Sequence, residues 1–429
     1  MLRTHTLPCQ LRKTEADAFN AASGAIYTRT MVDHWRVYRQ TGHWLSSKAG
    51  ERLNDYRTRD DTPLLHSHSK DAAQQGFYHA CTAAHAARKV GVDARFPRKR
   101  KRWRTTVWKA DCIRVTDEAL LLARARGLPP VRVTLPRWFQ PATMQAREVR
   151  LVWDRVASKY VWHLVVEDGQ QPPPPPGNAV VAVDPGEIHP AVLTDGQTAV
   201  VLSCRQQRAI RQYTAKRLAT LASRQARTTR GSRRWGRLQR AKTRFRAKQA
   251  RRLRDLDHKV SRAAVQYAVA QQAGTMVVGD VRDVADKTGR GAVVNQKLSS
   301  WRHGRLRQYL TYKAEAAGIV VALQDEAYTS QSCPVCRARH KPTGRVYTCR
   351  RCGYTGPRDV VGAVNILSAR LHGAPGQVAP PPADQIRYRY PLVLGPPGKR
   401  SCPDTGQPSH PGCAVASGKP EEATALQCA

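Results

Sequence analysis

Acidic residues are scarce in this chain of 429 residues, which has 32 Asp and Glu against 72 Lys and Arg and therefore a formal net charge of +40. A positive excess of this size repels itself unless a polyanion neutralises it. Nucleic acid is therefore the predicted partner, and an acidic membrane surface is a distant alternative.

Long apolar runs are also absent. No stretch approaches the roughly 18 to 20 apolar residues that a membrane-spanning helix needs. The first residues, MLRTHTLPCQLRKTEAD, lack the apolar centre of a signal peptide. The sequence therefore predicts a cytoplasmic bacterial protein associated with the nucleoid. In that setting, eleven cysteines indicate metal ligands or free thiols rather than disulfides.

The hydrophobic pattern changes along the first part of the chain. Residues 13–92 show helical spacing, whereas residues 93–171 alternate with a period of two, which is typical of strands. Residues 1–12 are predicted to add one strand to that β-rich region. The run QQPPPPPGN contains five consecutive prolines, so a stiff linker is predicted over residues 172–178.

An α/β pattern follows the linker, over residues 179–330. Its short apolar runs NAVVAVDPG, TMVVGD and GIVVALQDE are typical of strands covered on both faces, and helical segments separate them. From residue 373 onward, eleven prolines in fifty-seven residues predict a disordered tail.

Two segments concentrate the positive charge. Residues 94–109 hold eight Lys or Arg among aromatic residues, and residues 205–254 hold nineteen and no acid, on what the pattern predicts to be two helices joined near residues 228–232. The alternative is a solvated face, but charge of one sign over fifty residues favours contact with phosphates. The predicted contact residues are Arg98, Lys99, Arg100, Lys101, Arg102, Trp103, Arg104, Trp108, Arg233, Arg234, Arg237, Arg240 and Arg244.

Four cysteines form two C-x2-C pairs within residues 331–356. Cys333 and Cys336 precede Cys349 and Cys352 by twelve residues, and glycines permit the turns. This spacing predicts one tetrahedral Zn²⁺, closed and structural rather than catalytic. Four buried or redox-active thiols are the alternative. None of the fourteen histidines lies at metal-ligand spacing to the cysteines, so the sequence assigns the histidines no role.

Carboxylates stand at the ends of the predicted strands. Asp184 ends NAVVAVD, Glu326 follows IVVALQ, and Asp359 opens the apolar helix DVVGAVNIL. Each alone could be a cap or a surface acid. Parallel strands collect their carboxyl ends at one edge of a sheet, however, and carboxylates about 5 Å apart repel by about 3 kcal/mol at an effective dielectric near 20. Paired Mg²⁺ ions would offset this repulsion, so the pattern predicts metal-dependent hydrolysis of nucleic acid.

Several motifs resemble the RuvC-like nuclease and zinc ribbon of TnpB proteins, the transposon-encoded RNA-guided DNA nucleases related to compact type V CRISPR effectors. The motifs are VAVDPGEIHPAVLTDG, TMVVGDVRD, KLSSWRHGRLRQYLTYKAEAAGI and EAYTSQSCPVC with CRRCGYTGPRDVVGAVNIL, which together span about residues 178–370.

The resemblance implies an α/β ribonuclease H-like domain with basic helices inserted at 205–270, a zinc ribbon and a third-motif helix at 357–372. It also implies, before this domain, a helical recognition lobe set in a β-barrel-like wedge domain. The implied partners are a guide RNA and target double-stranded DNA next to a short flanking motif. The implied cofactors are two catalytic Mg²⁺ and one structural Zn²⁺, with Asp184 as the first catalytic acid and Asp359 as the last.

The middle acid departs from the family pattern. In most of the family the second strand ends in a catalytic Glu, and here Gly279 takes that place. Asp280 comes one residue late, so its side chain should face the opposite way. The next strand should lie about 4.8 Å away, from where Glu326 could reach across the glycine, as a relocated Glu does in some members. Glu326 is therefore predicted, with Asp325, Asp280 or an inactive site as alternatives.

These observations favour an RNA-guided DNA endonuclease of transposon origin. A compact type V CRISPR effector would have the same chemistry with a different source of guide. A nuclease-dead RNA-guided repressor, which Gly279 suggests, would bind its target without cutting it.

Overall fold

The computed structural model describes residues 2–54, 64–281, 289 and 291–390. The first half of this part combines three helices with two antiparallel sheets, whose strand orders are β1-β7-β6-β2 and β3-β4-β5. The elements are α1 (Lys13–Thr41), α2 (Ser47–Asn54), α3 (Ser67–Lys89), β1 (Leu2–Pro8), β2 (Thr106–Lys109), β3 (Ile113–Val115), β4 (Ala119–Leu122), β5 (Val131–Thr134), β6 (Gln145–Asp154) and β7 (Lys159–Glu167).

One core joins the two sheets to helix α1. Phe19 of α1 packs edge-on against Trp108, with ring centroids 5.5 Å apart, and Trp108 contacts Trp162 of β7 at 5.7 Å. The prediction that Trp108 contacts nucleic acid is therefore wrong. Strand β2 alternates, so Trp108 faces the core, where it is fully buried and its Nε1 donates to the carbonyl of Ala123 at 2.9 Å.

The second half is built on a six-stranded sheet with the order β12-β11-β8-β9-β10-β15. Strands β8, β11 and β12 are parallel, β9 is antiparallel to both of its neighbours, and β15 is parallel to β10. The strands are β8 (Ala179–Asp184), β9 (Ala191–Thr194), β10 (Ala199–Leu202), β11 (Ala273–Asp280), β12 (Val320–Asp325) and β15 (Ile386–Arg389), and the zinc-ribbon region adds the pair β13 (Val346–Thr348) and β14 (Thr355–Pro357).

Helices cover both faces of this sheet, as its apolar strands require. Val183 and Val278 face a cluster that includes Leu310, whereas Ala182 and Val277 face Ile366 on the other side. The helices are α4 (Arg205–Ala226), α5 (Arg233–Ala270), α6 (Ala292–Ser299), α7 (His303–Glu315) and α8 (Arg358–His372). The chain is thus of mixed α/β class, as predicted.

Two basic helices project from the sheet. Helix α5 has 38 residues, a length of about 57 Å, and begins at a Ser232 cap whose hydroxyl accepts from the backbone of Trp235 at 3.1 Å. Tyr213 of α4 packs edge-on against Phe245 of α5, with ring centroids 5.6 Å apart.

Among the helices of the described residues, none combines the length and the apolar character that a membrane-spanning segment requires.

The prediction of disorder from residue 373 onward is wrong for residues 383–389. A short 3-10 helix, Ala383–Gln385, leads into β15, and Ile386 packs on the cluster that holds Val364. The segment IRYR carries a β-branched and an aromatic residue, which suit a strand at the sheet edge, although prolines flank it. The rest of the predicted tail, residues 391–429, lies outside the described residues.

Candidate active site and metal centre

Asp184 ends β8 on the face that carries α8. Because side chains alternate along a strand, Asp184 shares the face of Ala182, which packs against Ile366 of that helix. Gly362 lies directly opposite, since a Cβ at Gly362 would come within 2.4 Å of the Asp184 Oδ2 atom. A glycine in a helix interior is unfavourable by about 1 kcal/mol, and here it provides space for a carboxylate.

Glu326 occupies the space above Gly279. These residues belong to neighbouring parallel strands, in which Gly279 pairs with Gln324. A Cβ at Gly279 would lie 1.8 Å from the Glu326 Oε1 atom and 2.7 Å from its Cδ atom. The Oε1 atom is buried and has no hydrogen-bond partner.

Neither alternative acid takes this position. Asp325 is exposed, and its Oδ1 atom accepts from the backbone of Ala327 at 2.9 Å, which stabilises the turn after β12. Asp280 lies on the opposite face of β11 to Gly279, and its Oδ1 atom is 3.5 Å from the Nη1 atom of Arg307 on α7.

Asp359 is the second residue of α8, the helix that packs on this face of the sheet. Its Oδ2 atom accepts from Arg345 Nη1 at 3.0 Å and lies 3.8 Å from His189 Nε2. The helix therefore brings Asp359 and Gly362, one turn apart, onto the side where Asp184 ends its strand.

The three carboxylates influence one another electrostatically. Burial, and then repulsion by Asp359, raises the pKa of Asp184 to about 7, although Arg358 opposes this shift. Burial raises the pKa of Glu326 to about 9, with Asp184 the first of three aspartates that add to the effect. Asp184 is thus the acid that couples to both others.

The carboxylates form an open cluster. Within the described part of the chain, the three acids do not bring one oxygen atom each within 4.8 Å of one another. The like charges of the carboxylates repel one another, and the ion pair with Arg345 holds Asp359 to one side of the cluster. In a two-ion arrangement with ions about 3.5 to 4 Å apart, no single ion has to contact all three acids. The donor set is all oxygen and includes the unpartnered Glu326 atom, which suits hard cations such as Mg²⁺.

A cleft of about 590 Å³ adjoins Asp359 and is strongly cationic. Arginines come from three elements around it, and aromatic and imidazole rings complete its wall. The polar and aromatic residues that line it are His189, Arg205, Arg208, Gln212, Arg345, Arg358, Asp359 and Tyr388. This composition suits a chain of phosphates next to the carboxylates.

The four predicted zinc ligands converge. Their sulfur atoms all lie within 4.8 Å of one another, with Cys333 to Cys352 at 3.6 Å and Cys336 to Cys349 at 3.5 Å. Tetrahedral coordination at the usual zinc–sulfur distance requires about 3.8 Å between sulfurs, so the quartet fits one Zn²⁺. Val361 of α8 packs into the same cluster as Cys333 and Cys349.

The basic segment before β2 presents its side chains outward. Its backbone is held to α1, because Thr28 Oγ1 accepts from the amide of Lys101 at 2.9 Å. Arg102 stacks on the half-exposed Trp103 at 4.3 Å, whereas Arg104 is half-buried over Tyr27 at 4.4 Å, where burial lowers its pKa. The exposed cations are Arg98, Lys99, Arg100, Lys101 and Arg102.

The predicted contact residues of helix α5 all lie at its surface. They repeat at intervals of one to four residues and form a cationic stripe, which leaves the intervening positions to pack against α4. These exposed residues are Arg233, Arg234, Arg237, Arg240 and Arg244.

Three residues at the site escaped the sequence analysis. A conspicuous signal existed only for Gly362, a glycine inside the apolar helix DVVGAVNIL. His189 and Arg345 contact Asp359 from loops, and nothing in their local sequence indicates that contact.

Comparison with known proteins finds similarity over two parts of the chain. The model of a probable transposase family, OrfB_IS605, matches residues 163–285, and that of the Cas12f1-like TNB domain matches residues 303–366. A TnpB-like protein of Methanocaldococcus jannaschii is 25% identical over 126 residues, which are 29% of this chain and 45% of that protein. The resemblance to TnpB proteins is confirmed.

The TnpB resemblance extends to CRISPR-associated proteins. The endodeoxyribonuclease Cas12f1 of Sulfoacidibacillus thermotolerans is 33% identical over 113 residues, or 26% of this chain and 25% of that protein. The matched stretches therefore cover less than half of these curated relatives. A Cas12f1 structure, solved as a complex with sgRNA and target DNA, shares the fold, with a TM-score of 0.56 at 12% identity over 83% of each chain.

Proposed function

We propose that this chain is an RNA-guided DNA endonuclease of transposon origin that hydrolyses DNA phosphodiesters with two Mg²⁺ ions. The observation that carries the proposal is the position of the Glu326 carboxylate, which fills the space above Gly279. Its Oε1 atom has no hydrogen-bond partner, and the carboxylate interacts electrostatically with Asp184. The strand order β10-β9-β8-β11-β12, with one antiparallel strand between parallel segments, supports a ribonuclease H-like fold for the domain.

The three acids have distinct positions in this proposal. Asp184 holds the centre, because it couples electrostatically to both Asp359 and Glu326. When bound, the ions supply Lewis-acid stabilisation of the phosphate and an activated water as nucleophile. Burial of the Glu326 oxygen excludes competing water, and the Arg345 contact orients Asp359.

The surrounding charge supports a nucleic-acid substrate. The arginine-lined cleft beside Asp359 would hold the backbone of the strand to be cut. The α5 stripe and the exposed cations of residues 98–102 would hold the guide RNA and the target backbone, with Trp103 available for stacking. In such systems the guide reads the target sequence and the protein reads a short flanking motif and heteroduplex shape.

The zinc ribbon has a structural role in this proposal. One Zn²⁺ held by the cysteine quartet would fix the packing of Val361, two residues after Asp359 on the same helix. The ion has no open position for substrate.

The test starts from the full chain purified with its co-purifying RNA, which is sequenced to define a matching double-stranded target. Cleavage in Mg²⁺ is then compared among the wild type, Glu326→Gln and Asp280→Asn. We expect the cleavage rate of Glu326→Gln to fall by at least about 100-fold while target binding persists. We expect Asp280→Asn to retain cleavage.

Each other outcome contradicts part of the proposal. Full cleavage by Glu326→Gln would remove that residue from the site. Wild-type binding without cleavage would favour the nuclease-dead repressor. An RNA derived from a repeat array, instead of a transposon end, would favour the CRISPR effector.

A further inference from the structure

A second cluster of metal-ligand side chains lies far along the sequence from the cysteine quartet. His66, His68 and Cys112 each present a ligand atom within 4.8 Å of the other two. His66 precedes α3, His68 lies in its first turn, and Cys112 ends the 3-10 helix Ala110–Cys112 between β2 and β3. The sequence assigns the histidines no role because none lies at metal-ligand spacing to a cysteine, and folding here brings together positions whose sequence spacing carries no signal.

The polar atoms of this cluster are only partly satisfied. The Cys112 Sγ atom is 3.1 Å from His66 Nδ1, and the imidazoles of His66 and His68 stand edge to face at 5.1 Å. The His68 Nδ1 atom is buried without a hydrogen-bond partner, 3.8 Å from the Oδ2 atom of Asp111. A buried polar nitrogen without a partner is unfavourable, so an occupant that accepts its lone pair would be stabilising.

A simpler interpretation explains only part of this geometry. His66 Nδ1 accepts from the backbone amide of His68 at 3.3 Å and so caps helix α3, and the Cys112 thiol can donate to the same ring. That arrangement accounts for His66 and Cys112. It leaves His68 Nδ1 unexplained, and it does not require the Asp111 carboxylate.

The ligand atoms of His66, His68 and Cys112 are close enough to share one tetrahedral ion. Zinc bound to one sulfur and one nitrogen at its usual distances places those two ligand atoms about 3.6 Å apart. The observed 3.1 Å between Cys112 Sγ and His66 Nδ1 reaches that value with a small rotation of either side chain. Two imidazoles with one thiolate are borderline-soft ligands, which select Zn²⁺ and its substitute Co²⁺ over Mg²⁺.

We propose that His66, His68 and Cys112 bind a second Zn²⁺, with the Asp111 carboxylate as fourth ligand. This ion is separate from the one in the cysteine quartet. It joins the start of α3 to the connection between β2 and β3. Nearby, Lys109 at the end of β2 donates to Gln75 of α3 at 2.9 Å. The bound ion therefore fastens a helix of the first half to its β-sheet region.

Zinc content provides the first test, measured by mass spectrometry on the full chain purified with its RNA. We expect two zinc ions per wild-type chain and one ion in His68→Ala or Cys112→Ser. Matched controls come from α3 itself: the exposed His79→Ala and the buried Cys81→Ser should both keep two ions. The double variant Cys349→Ser/Cys352→Ser should keep one ion.

Cobalt spectroscopy identifies the ligands. In the quartet double variant, Co²⁺ is expected to give a thiolate-to-cobalt charge-transfer band with the intensity of a single thiolate. The band should disappear when Cys112→Ser is added and persist when Cys81→Ser is added instead. The charge-transfer band reports the sulfur ligand directly, whereas a purely structural role would leave it unchanged.

Several outcomes would overturn the proposal. A wild-type chain that contains only one zinc ion would overturn it. So would a second zinc ion that is still bound in both His68→Ala and Cys112→Ser. If the quartet double variant does not fold, His68→Ala decides alone, because its half-exposed side chain can be removed without opening the core. A wild-type zinc count in that folded variant would reject the site.

Discussion

Gly279 and Gly362 leave space at the candidate site that any other residue would fill. A Cβ at Gly279 would contact Glu326, and a Cβ at Gly362 would contact Asp184. Both glycines have ordinary backbone conformations, so the absence of a side chain, rather than a positive φ, accounts for them. The position of each carboxylate therefore depends on a residue in a neighbouring element.

Replacing Gly279 with alanine tests this dependence. The new Cβ would lie 1.8 Å from the Glu326 Oε1 atom and force the carboxylate away. A displacement near 1 Å can lower the rate of cleavage by about 100-fold, and we expect a loss of that order with guide-RNA binding unchanged. Gly304→Ala is the matched control, because nothing lies within 4 Å of a Cβ there.

A compensating pair makes the same point in reverse. Glu326→Ala should abolish cleavage, and adding Gly279→Glu returns a carboxylate to the end of β11. We expect the double variant to recover measurable cleavage relative to Glu326→Ala alone. Two results would count against a site shared between β11 and β12. One is full cleavage activity in Gly279→Ala, and the other is a double variant that folds but recovers no cleavage.

At the scale of elements, helix α8 links the carboxylates to the cysteine quartet. Asp359 lies at its start, and Val361 packs beside Cys333 and Cys349. Asn365, fully buried, donates to the carbonyls of Thr329 and Ser332 just before the quartet. Helix α8 therefore connects the cysteine quartet directly to Asp359.

Loss of the Zn²⁺ proposed for the cysteine quartet should reduce cleavage without any change in the acids. Cys352 is the exposed member of the quartet, so Cys352→Ser removes a ligand without opening a cavity. We expect one zinc ion fewer and a loss of cleavage of at least tenfold. Cys9→Ser is the control, and an unchanged rate after loss of zinc would separate the ribbon from the site.

The contact between the first turn of α4 and the second half of α5 contains a buried titratable group. Asp257 of α5 accepts from Gln207 Nε2 at 2.9 Å and lies 3.4 Å from Arg302 Nη1. Burial outweighs the attraction of Arg302 and raises the pKa of Asp257 to about 6. Because folding favours the protonated form of Asp257, the contribution of this residue to the free energy of unfolding is largest below about pH 4. That contribution declines as the pH rises to about 6.

The variant Asp257→Asn isolates this contribution. A rise in pKa from 3.8 to about 6 corresponds to about 3 kcal/mol, so the melting temperature of the variant should gain on the wild type between pH 4 and pH 6. Above pH 7 the difference should be constant. Curves of melting temperature against pH that run parallel for Asp257→Asn and the wild type would contradict the assignment.

For the whole molecule, the net charge of +40 makes binding to nucleic acid depend on salt. Replacing Arg237, Arg240 and Arg244 with glutamine should reduce the slope of log affinity against log salt by about 2 for single-stranded RNA, provided each contacts a phosphate. Filter binding across a salt series measures this slope.

A charge-matched control distinguishes local contact from overall charge. Arg132, Arg147 and Arg150 pair with glutamates on the antiparallel strands, and their replacement by glutamine removes the same total charge. The slope should then change little. Equal changes in the two triple variants would show that α5 has no special contact.

Much of the architecture could be predicted from the sequence, because short apolar runs and proline punctuation are local signals. The strand ends that carry Asp184 and Asp280 follow from such signals, and strand parity separates Gly279 from Asp280. The aromatic and basic neighbours of Trp108 predict a surface position, yet strand alternation turns its side chain inward. Contacts between distant segments, such as His68 with Cys112 or Asp359 with Arg345, leave no local trace.

Strand β15 has a consequence for how the protein is made. It covers the outer edge of β10, and Tyr388 forms part of the wall beside Asp359. During translation the unpaired amides and carbonyls of β10 stay open until residue 389 has left the ribosome, long after the first half has been synthesised. Nascent chains halted before that point would therefore expose an unpaired sheet edge. Polysomes bring several such chains close together, so incorrect strand pairing between copies should arise there.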